Sequence, residues 1–313
     1  MVKATVEALD IDPKTGTTLG FYTFGEDRPN ILLISAMSGW SATDVYANYL
    51  MMKHMRDVPR IDGSVTILPV ASPLAFRLGV KVSPLDSKNI DTVFPGNEHG
   101  TVTERTAWEI WRRVVQADYV IHLQTGEQAC VSHVTALHRD YIHVRNLASQ
   151  IALPLVTQAS GKRGTLITEA AHEGISAICI QMRGVRNGVE PQAAVEVREA
   201  ILNFMRIKDM MPGEGIEAAS TFTGITRQVN VGSEGFFVPS IRPGEEVISG
   251  DVIGSVQDEN DVTTPYDGIV VSMSQMVYVF EGDMISEIAA RLVERSKTKD
   301  DDINSIPQPR RKW

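Results

Sequence analysis

The sequence predicts two domains: an α/β domain with a mainly parallel sheet covered by helices, and a small all-β domain after it. Apolar runs alternate with helical patterns up to about residue 208, and such alternation is typical of α/β sheets. A stretch rich in Pro, Gly and acidic residues then ends the pattern, and short strands with turn signals follow. The expected divisions are an α/β domain over 1–208, a linker over 209–221, a β domain over 222–290 and a flexible tail over 291–313.

Four short runs are predicted as strands of the α/β domain. They are NILLIS from Asn30, SVTILPV from Ser64, ADYVIHL from Ala117 and AICIQM from Ala177. The runs are apolar and rich in β-branched residues, and turn residues bound them, which is the pattern of strands buried on both faces. We therefore expect these runs to form the buried part of the sheet.

Helical patterns occupy the segments between and after these strands. They are ATDVYANYLMMKHM, TERTAWEIWRRVVQA and PQAAVEVREAILNFMRI. The second begins at Thr103, with Glu104 near its start and Arg112 and Arg113 later, a charge order that the helix dipole favours. Their alternation with the strands predicts helices on both faces of the sheet.

The region from about 222 to 290 consists of short strand patterns separated by turns. Gly250-Asp251 and Gly282-Asp283 are among its turn signals. The region resembles the barrel-sandwich fold of biotinyl and lipoyl carriers, in which a lysine carries the cofactor. No lysine occurs between Lys208 and Lys297. We therefore expect this domain to be structural or to shape a site, rather than to carry a swinging arm.

Composition excludes several classes of function. The 313 residues carry a formal net charge of −9, whereas a nucleic-acid partner would require a basic face. No apolar run is long enough for a membrane span and no signal-peptide pattern is present, so no membrane partner is expected. The two cysteines are too few for a disulfide framework, and the expected location is therefore the cytoplasm.

Three segments carry a family resemblance. VASPLAFRLGVKVSPLDSKNIDTVFPG (Val70–Gly96) is similar to a family pattern that includes Pro-x-Asp and Asp-Leu-Asn-Arg-x-Phe-Pro-Gly. ADYVIHLQTG resembles the family's Asp-Leu-His-Thr-Gly strand end, and AAHEGISAICIQMRG resembles its Glu-x-Gly-Ile-Pro segment. From about Asn30 to Ala290, the chain thus resembles the succinylglutamate desuccinylase/aspartoacylase family. The resemblance implies a zinc carboxypeptidase-like α/β domain, a barrel-sandwich β domain and amidohydrolase chemistry.

The resemblance also implies where the family's zinc site would lie, and the residues there differ. The zinc-binding His-x-x-Glu pair falls on Ser38 and Ser41, the third zinc ligand on Gln124 and the general base on Gln181. Serine hydroxyls and glutamine amides are not among the groups that build zinc sites, and an amide cannot take a proton as a base does. We therefore expect that the inherited zinc hydrolysis is lost and that no metal or other cofactor is bound.

Substrate-binding positions are also altered in this resemblance. Lys81 replaces an oxyanion-binding arginine, and Asp91 and Thr92 replace a substrate-binding Asn-Arg pair. Lys81, Arg183 and Arg186 can form a cationic pocket for a small carboxylate. Ordinary exposed salt bridges are the alternative interpretation of these cations. Because Asp91 would repel the family's anionic substrate, the preferred ligand is expected to differ.

Residues near the same strand end can supply a different chemistry. His122 lies two residues before Gln124 on one strand, so the two side chains share a face, and His122 is the candidate for an acid/base role. Cys130 has histidines nearby in the sequence and is a candidate thiolate nucleophile. A hydrogen-bonded structural role is the alternative for both residues.

These observations leave three functional hypotheses. The leading one is a family member without catalytic zinc, a pseudoenzyme for zinc hydrolysis, that binds a small polar metabolite. It would run metal-independent chemistry or act as a homo-oligomer or as the partner subunit of an active paralogue. The second is a hydrolase that deacylates an N-acyl amino acid through a rebuilt zinc site among His122, His133, His138 and Asp44. The third is a non-catalytic scaffold.

Overall fold

The computed structural model describes residues 2–40, 42–184 and 188–292 of the chain. The former metal-ligand position Ser41 and residues 293–313 of the predicted tail lie outside the described residues. In the described part of the chain, no helix combines the length and the apolar character needed to cross a membrane. One continuous sheet runs through both domains, and a smaller antiparallel sheet lies in the C-terminal part.

The first nine strands of the described chain belong to the α/β region. They are β1 (Thr5–Asp12), β2 (Thr17–Gly25), β3 (Asn30–Ile34), β4 (Ser64–Leu68), β5 (Tyr119–Thr125), β6 (Ala129–Cys130), β7 (His133–Ala136), β8 (Leu155–Gln158) and β9 (Ser176–Met182). All four predicted strands are present, as β3, β4, β5 and β9. They lie side by side in the order β4-β3-β5-β9, and their pairing is parallel. Their apolar side chains are buried, which explains why the sequence runs are almost uninterrupted.

The sheet of this domain is mixed, whereas the sequence predicted a mainly parallel one. Antiparallel pairing joins β1 to β2, β2 to β4 and β7 to β9. The first of these pairs is a hairpin, and a hairpin needs only a short turn between its strands. The strand β7 runs against β9 but parallel to β8. The predicted strand alternation therefore missed the hairpin at the N-terminus and the reversal at β7.

Over the described residues, six α-helices accompany the sheet, and three of them are the predicted ones. They are α1 (Thr43–Asp57), α2 (Pro73–Leu78), α3 (Val102–Val114), α4 (Ile142–Ser149), α5 (Leu166–His172) and α6 (Pro191–Ile207). The predicted helices correspond to α1, α3 and α6, and α1 packs against α6. At the start of α3, the Glu104 carboxylate accepts a hydrogen bond of 2.8 Å from the Thr101 amide. That contact satisfies a main-chain donor that the helix itself leaves unpaired.

The segment Val70–Gly96, called here the 70–96 segment, makes hydrogen bonds to the first residues of two helices that follow it in the chain. Asp86 accepts hydrogen bonds from the Thr103 amide at 3.1 Å and the Thr103 hydroxyl at 2.7 Å, at the start of α3. Asp91 accepts a hydrogen bond of 3.0 Å from the Leu166 amide, at the start of α5. Gly96 has φ +87°, and a Cβ on it would lie 2.2 Å from the Trp108 nitrogen. Only glycine fits this close contact with α3.

The small domain contains two layers of antiparallel strands. Its strands are β10 (Thr221–Asn230), β11 (Gly235–Pro239), β12 (Glu246–Val247), β13 (Val252–Val256), β14 (Asn260–Thr263), β15 (Gly268–Met273), β16 (Val277–Val279) and β17 (Met284–Arg291). One layer has the order β14-β13-β11-β16, and the other contains β10, β17, β15 and β12. Phe237 and Ile253 of the first layer and Val270 and Ile288 of the second share one buried core. Such packing of two sheets across a core is a β sandwich.

The strand β10 belongs to both domains. It pairs in parallel with β8 of the α/β domain and antiparallel with β17 of the small domain. The short strand β6 makes a further connection, because it pairs with β15. The two domains are therefore joined by main-chain hydrogen bonds as well as by the covalent chain.

Candidate ligand-binding site

A cavity of about 580 Å³ lies where the two domains meet. The α/β domain contributes residues at the ends of β5 and β9 and along β7 and β8, and the small domain contributes residues of β10, β15 and β17. Five glutamines line the cavity: Gln124, Gln128, Gln158, Gln181 and Gln228. A volume of this size is typical of small-molecule sites. The lining is unusual in that neutral amides, rather than ionisable groups, supply most of its large polar side chains.

The loop after β3 brings the first former ligand position toward the same sheet edge. Ala36 adopts φ 51°, an uncommon conformation for a residue with a side chain. Its amide donates to the Asp44 carboxylate at 3.2 Å, and its carbonyl accepts from the Ser72 amide at 2.9 Å. A Cβ on Gly39 would lie 2.0 Å from the Ala75 carbonyl oxygen, so this residue must be glycine. Ser38, just before it, is buried.

The ends of β5 and β9 place two amides against each other. Gln124 and Gln181 are register partners on adjacent strands. The Gln181 Nε2 donates to the Gln124 Oε1 at 3.4 Å. Cys179 lies below them, with its Sγ 3.9 Å from the same oxygen. Burial raises the pKa of the Cys179 thiol well above its ordinary value, so the thiol stays protonated. These three groups are neutral at physiological pH.

His122 is buried beside this cluster, in register with Cys179. Its Nε2 is buried without a hydrogen-bond partner in the described structure. Burial lowers the pKa of His122 to about 4, because the imidazolium form cannot be solvated there. The ring does not line the cavity. His122, the predicted acid/base candidate, therefore lies on the same face of β5 as Gln124, but its ring is neutral and buried in the core outside the cavity.

Cys130, the predicted nucleophile, lines the cavity, but its thiol does not readily lose its proton to form the thiolate. Its Sγ donates to the Met182 carbonyl oxygen at 3.4 Å. Burial raises the pKa of the Cys130 thiol to about 12, and the nearby carboxylates of Glu190 and Glu287 act in the same direction. Because the thiolate is the reactive form, this environment weighs against nucleophilic catalysis.

Lys81 and Arg183, two of the three predicted cations, are both engaged with carboxylates. The Lys81 Nζ lies 2.6 Å from the Glu127 Oε1, and both side chains are about half exposed at the mouth of the cavity. Arg183 lies 3.3 Å from both Glu190 and Glu196, outside the cavity lining. The structure therefore does not bring Lys81 and Arg183 together into one pocket, and the third predicted cation, Arg186, lies outside the described residues.

Asp91 and Thr92 also lie outside the cavity lining. The Thr92 hydroxyl is exposed and donates to the Asn89 carbonyl oxygen at 2.8 Å. Burial raises the pKa of Asp91 to about 6, although the hydrogen bond from the Leu166 amide and the charge of Lys162 act against that rise. Both side chains thus hydrogen-bond to main-chain groups and not to the cavity.

Sequence reasoning missed the wall that the small domain contributes. Glu287 of β17 lines the cavity and accepts a hydrogen bond of 3.1 Å from the Ser272 hydroxyl of β15. The Gln128 amide donates to the Ser274 hydroxyl at 2.8 Å and to the Met284 carbonyl at 3.1 Å. A signal was present in the sequence, because Glu287 is the one charged residue within the apolar run ISEIAA. A charged residue within such an apolar run is usually hydrogen-bonded or paired with another group.

Comparisons with known proteins agree with this architecture. The N-alpha-acetyl-L-2,4-diaminobutyric acid deacetylase of Halomonas elongata is 24% identical, over 84% of this chain and 82% of that protein. An aspartoacylase family protein from Mesorhizobium loti superposes with a TM-score of 0.78 at 18% identity, over 94% of this chain and 96% of that chain. The product-bound ectoine utilization protein of Ruegeria pomeroyi gives a TM-score of 0.78 at 17% identity, over 92% and 95%. No family model matches the sequence.

The chain has the succinylglutamate desuccinylase/aspartoacylase fold. The resemblance found in the sequence is thereby confirmed at the level of the fold. The two described residues that the sequence resemblance predicts to replace zinc ligands, Ser38 and Gln124, offer a hydroxyl and an amide. Zinc sites are built from imidazole, thiolate and carboxylate groups, so these two side chains do not fit the metal.

A rebuilt metal site is not supported by the placement of its predicted ligands. The His133 Nδ1 lies 2.8 Å from the Val131 carbonyl oxygen, and the His138 Nε2 lies 3.0 Å from the Thr223 carbonyl oxygen. Over residues 2–40, 42–184 and 188–292, no three His, Cys, Asp or Glu side chains are grouped as a metal site requires. The described residues of this succinylglutamate desuccinylase/aspartoacylase fold therefore supply no zinc ligand set.

Proposed function

We propose that this protein is a divergent relative of the desuccinylases and aspartoacylases that binds a small polar molecule in the cavity between its domains and does not hydrolyse amides through zinc. The observation that carries the proposal is the amide pair at the ends of β5 and β9. The Gln181 and Gln124 side chains face each other at 3.4 Å, at positions where zinc hydrolysis would need a base and a metal ligand.

The chemistry of these amides supports binding rather than proton transfer. A glutamine side chain offers two N–H donors and one carbonyl acceptor, but it neither accepts a proton as a base nor releases one near neutral pH. His122 is no substitute, because its ring is buried and neutral behind the amide pair. The groups that line the cavity can therefore orient a ligand by hydrogen bonds, and they offer no activated nucleophile.

The lining supports a polar ligand of metabolite size. The Gln228 amide and the Ser160 hydroxyl line the same space as the amide pair. Gln158 also lines it, but its amide is hydrogen-bonded to the Arg139 amide and the Asp140 carboxylate. The Thr135 and Thr157 hydroxyls lie 3.0 Å from each other. Ligand sites combine a concave shape with a few converging polar groups, and this cavity has both properties. In this proposal the cavity of the family is retained and its reaction is not.

Zinc-dependent deacylation is the competing function, because a curated relative with 24% identity over most of the chain is a deacetylase. Elemental analysis of protein purified without chelators separates the two. We expect less than one zinc per ten chains and no release of acetate from N-acetyl amino acids. Stoichiometric zinc together with hydrolysis would overturn the proposal.

Ligand binding is tested by native mass spectrometry and by thermal shift against a set of small polar metabolites. Ser160→Trp provides a blocked cavity, because Ser160 is an exposed lining residue whose replacement fills the mouth without burying a new side chain in the core. Ser149→Trp is the matched control, at an exposed position of α4 outside the cavity. We expect ligand-induced stabilisation in the wild type and in Ser149→Trp, and its loss in Ser160→Trp. Equal stabilisation of all three proteins would contradict binding in this cavity.

A further inference from the structure

We infer that the cavity selects a ligand that carries a positively charged amino group, and that Glu287 determines this selectivity. The inference rests on the proposed ligand-binding function and names the chemical class of the ligand. It replaces the sequence-based expectation of a carboxylate ligand.

The position of Glu287 is the first observation. It lies on β17, between Gln228 of β10 and Ser272 of β15, so strands flank it on both sides. Its chain neighbours Ser286 and Ile288 are fully buried, whereas the Glu287 side chain is half-buried at the cavity wall. A carboxylate at a cavity wall can accept charge-assisted hydrogen bonds from a cationic group of a bound molecule.

The charge balance of the cavity is the second observation. The charged lining residues in the described chain are Lys81, Glu127 and Glu287. Lys81 and Glu127 form an ion pair at 2.6 Å and so neutralise each other. No lysine, arginine or histidine of the described residues lies within ion-pair distance of Glu287, whose hydrogen-bond donor is the Ser272 hydroxyl. Among the described residues, the cavity lining therefore presents one negative charge without an ion-pair partner.

The remaining titratable groups of the lining do not change this balance. Burial lowers the pKa of His133 to about 4, so its ring is neutral at physiological pH. The Cys130 thiol is protonated because burial raises its pKa to about 12. A ligand with a carboxylate would meet Glu287 without a free cation nearby, whereas an ammonium group would find an acceptor.

The part of the lining that comes from β5 and β9 adds uncharged polar groups. Gln124 and Gln181 offer both donors and acceptors, which complement an amide or hydroxyl group of a bound molecule. Together with Glu287, these groups fit a small amine that also carries an uncharged polar group. The class of ligand is therefore an amide-bearing or hydroxyl-bearing primary amine.

Three probes of nearly equal length test the charge selectivity. They are N-acetyl-1,4-diaminobutane, which carries an ammonium group, N-butylacetamide, which is neutral, and 4-acetamidobutanoate, which carries a carboxylate. Isothermal titration calorimetry at pH 7 and low salt measures their dissociation constants. We expect the wild-type chain to bind the amine about tenfold more tightly than the neutral amide, and the carboxylate most weakly.

Two substitutions test whether Glu287 and the Lys81–Glu127 ion pair determine the preference among the probes. Glu287→Gln keeps the size and an acceptor for Ser272 but removes the charge, and we expect it to abolish the preference for the amine over the neutral amide. Glu127→Gln releases Lys81 from its ion pair and should strengthen binding of the carboxylate probe. Glu234→Gln is the matched control, since Glu234 is exposed in the same domain and does not line the cavity. If Glu287→Gln does not fold, the ranking of the three probes by the wild-type chain decides the question.

Equal affinities for the three probes, or an unchanged preference in Glu287→Gln, would overturn the inference and leave ligand binding by the cavity intact. Failure of all three probes to bind would also overturn it. Stoichiometric zinc with amide hydrolysis, or ligand binding that Ser160→Trp does not affect, would instead contradict the proposed function. The two proposals can therefore fail separately.

Discussion

The 70–96 segment and the ends of β5 and β9 differ in what their polar side chains contact. In the segment, Asp86 and Asp91 accept hydrogen bonds from main-chain amides at the starts of α3 and α5. At the strand ends, Gln124 and Gln181 contact each other and the cavity. The fold therefore depends on the segment and much less on the strand ends. The difference predicts that side chains at the strand ends can be replaced with less loss of stability than those of the segment.

The largest expected effect in this comparison is that of Gly96→Ala. The new Cβ would lie 2.2 Å from the Trp108 nitrogen, at a backbone with φ +87°. We expect a loss of at least ~3 kcal/mol of unfolding free energy, measured by urea denaturation, because helix backbone cannot move aside cheaply. Gly174→Ala is the control: its φ is +77°, but no atom lies within 4 Å of the added Cβ. A similar cost at both glycines would show that the clash with α3 is unimportant.

Asp86→Ala should give the next largest effect. Burial alone would raise the pKa of Asp86, but hydrogen bonds from Thr103 and neighbouring hydroxyls outweigh it and lower that pKa to about 2. Removal of the carboxylate leaves donors at the start of α3 without an acceptor, so we expect a loss of about 2 kcal/mol in urea unfolding. Asp10→Ala, at an exposed position of β1, should stay within about 0.5 kcal/mol. If the two variants are equally stable, the capping role of Asp86 is wrong.

Asp91→Asn tests the same segment through pH. The pKa of Asp91 is raised to about 6 in the folded chain, so its contribution to stability is present below its ordinary pKa near 3.8 and is lost as pH rises through 6. Asparagine stays neutral, and we expect the variant to gain on the order of 1–2 kcal/mol over the wild type between pH 4 and 7. Urea unfolding of both proteins at each pH gives the difference. A difference that does not change with pH would contradict the raised pKa.

Gln124→Met should have the smallest effect on stability. The amide contact to Gln181 is long, at 3.4 Å, and the side chain is only half-buried at the cavity. Replacement by an apolar side chain of similar size should change the unfolding free energy by less than about 1 kcal/mol. The same variant should weaken ligand binding in the thermal-shift screen. A severe loss of stability would mean that the strand ends support the fold as strongly as the 70–96 segment does.

The four central parallel strands and the three longest helices of the α/β domain could be predicted from the sequence. The strands from Asn30, Ser64, Ala117 and Ala177 were found because uninterrupted apolar runs are typical of buried parallel strands. The hairpin β1–β2 was missed because several of its side chains are exposed and its sequence lacks such a run. The reversal at β7 was missed because pairing direction depends on contacts distant in the chain.

The candidate site could be predicted only in part. Gln124 and Gln181 were found because they end strands that carry the family resemblance, and both line the cavity. For His122 the predicted strand face was correct, but the prediction that it takes part in the site was not, because the ring is buried away from the cavity. Its burial depends on neighbouring strands, which the local sequence does not reveal. Glu287 was missed because it belongs to the small domain, and nothing in a linear sequence states which β10–β17 residues will face the other domain. Its place in an apolar strand was the only local signal.

The pairing of β10 with both β8 and β17 limits how a ligand can reach the cavity. A hinge that swings the small domain away would have to break a ladder of main-chain hydrogen bonds, which is costly in the absence of replacement partners. If the cavity binds a ligand as proposed, we expect the ligand to exchange by rearrangement of side chains at the mouth, on the timescale of rotamer and loop motion. For the same reason the two domains should unfold together, as one cooperative unit.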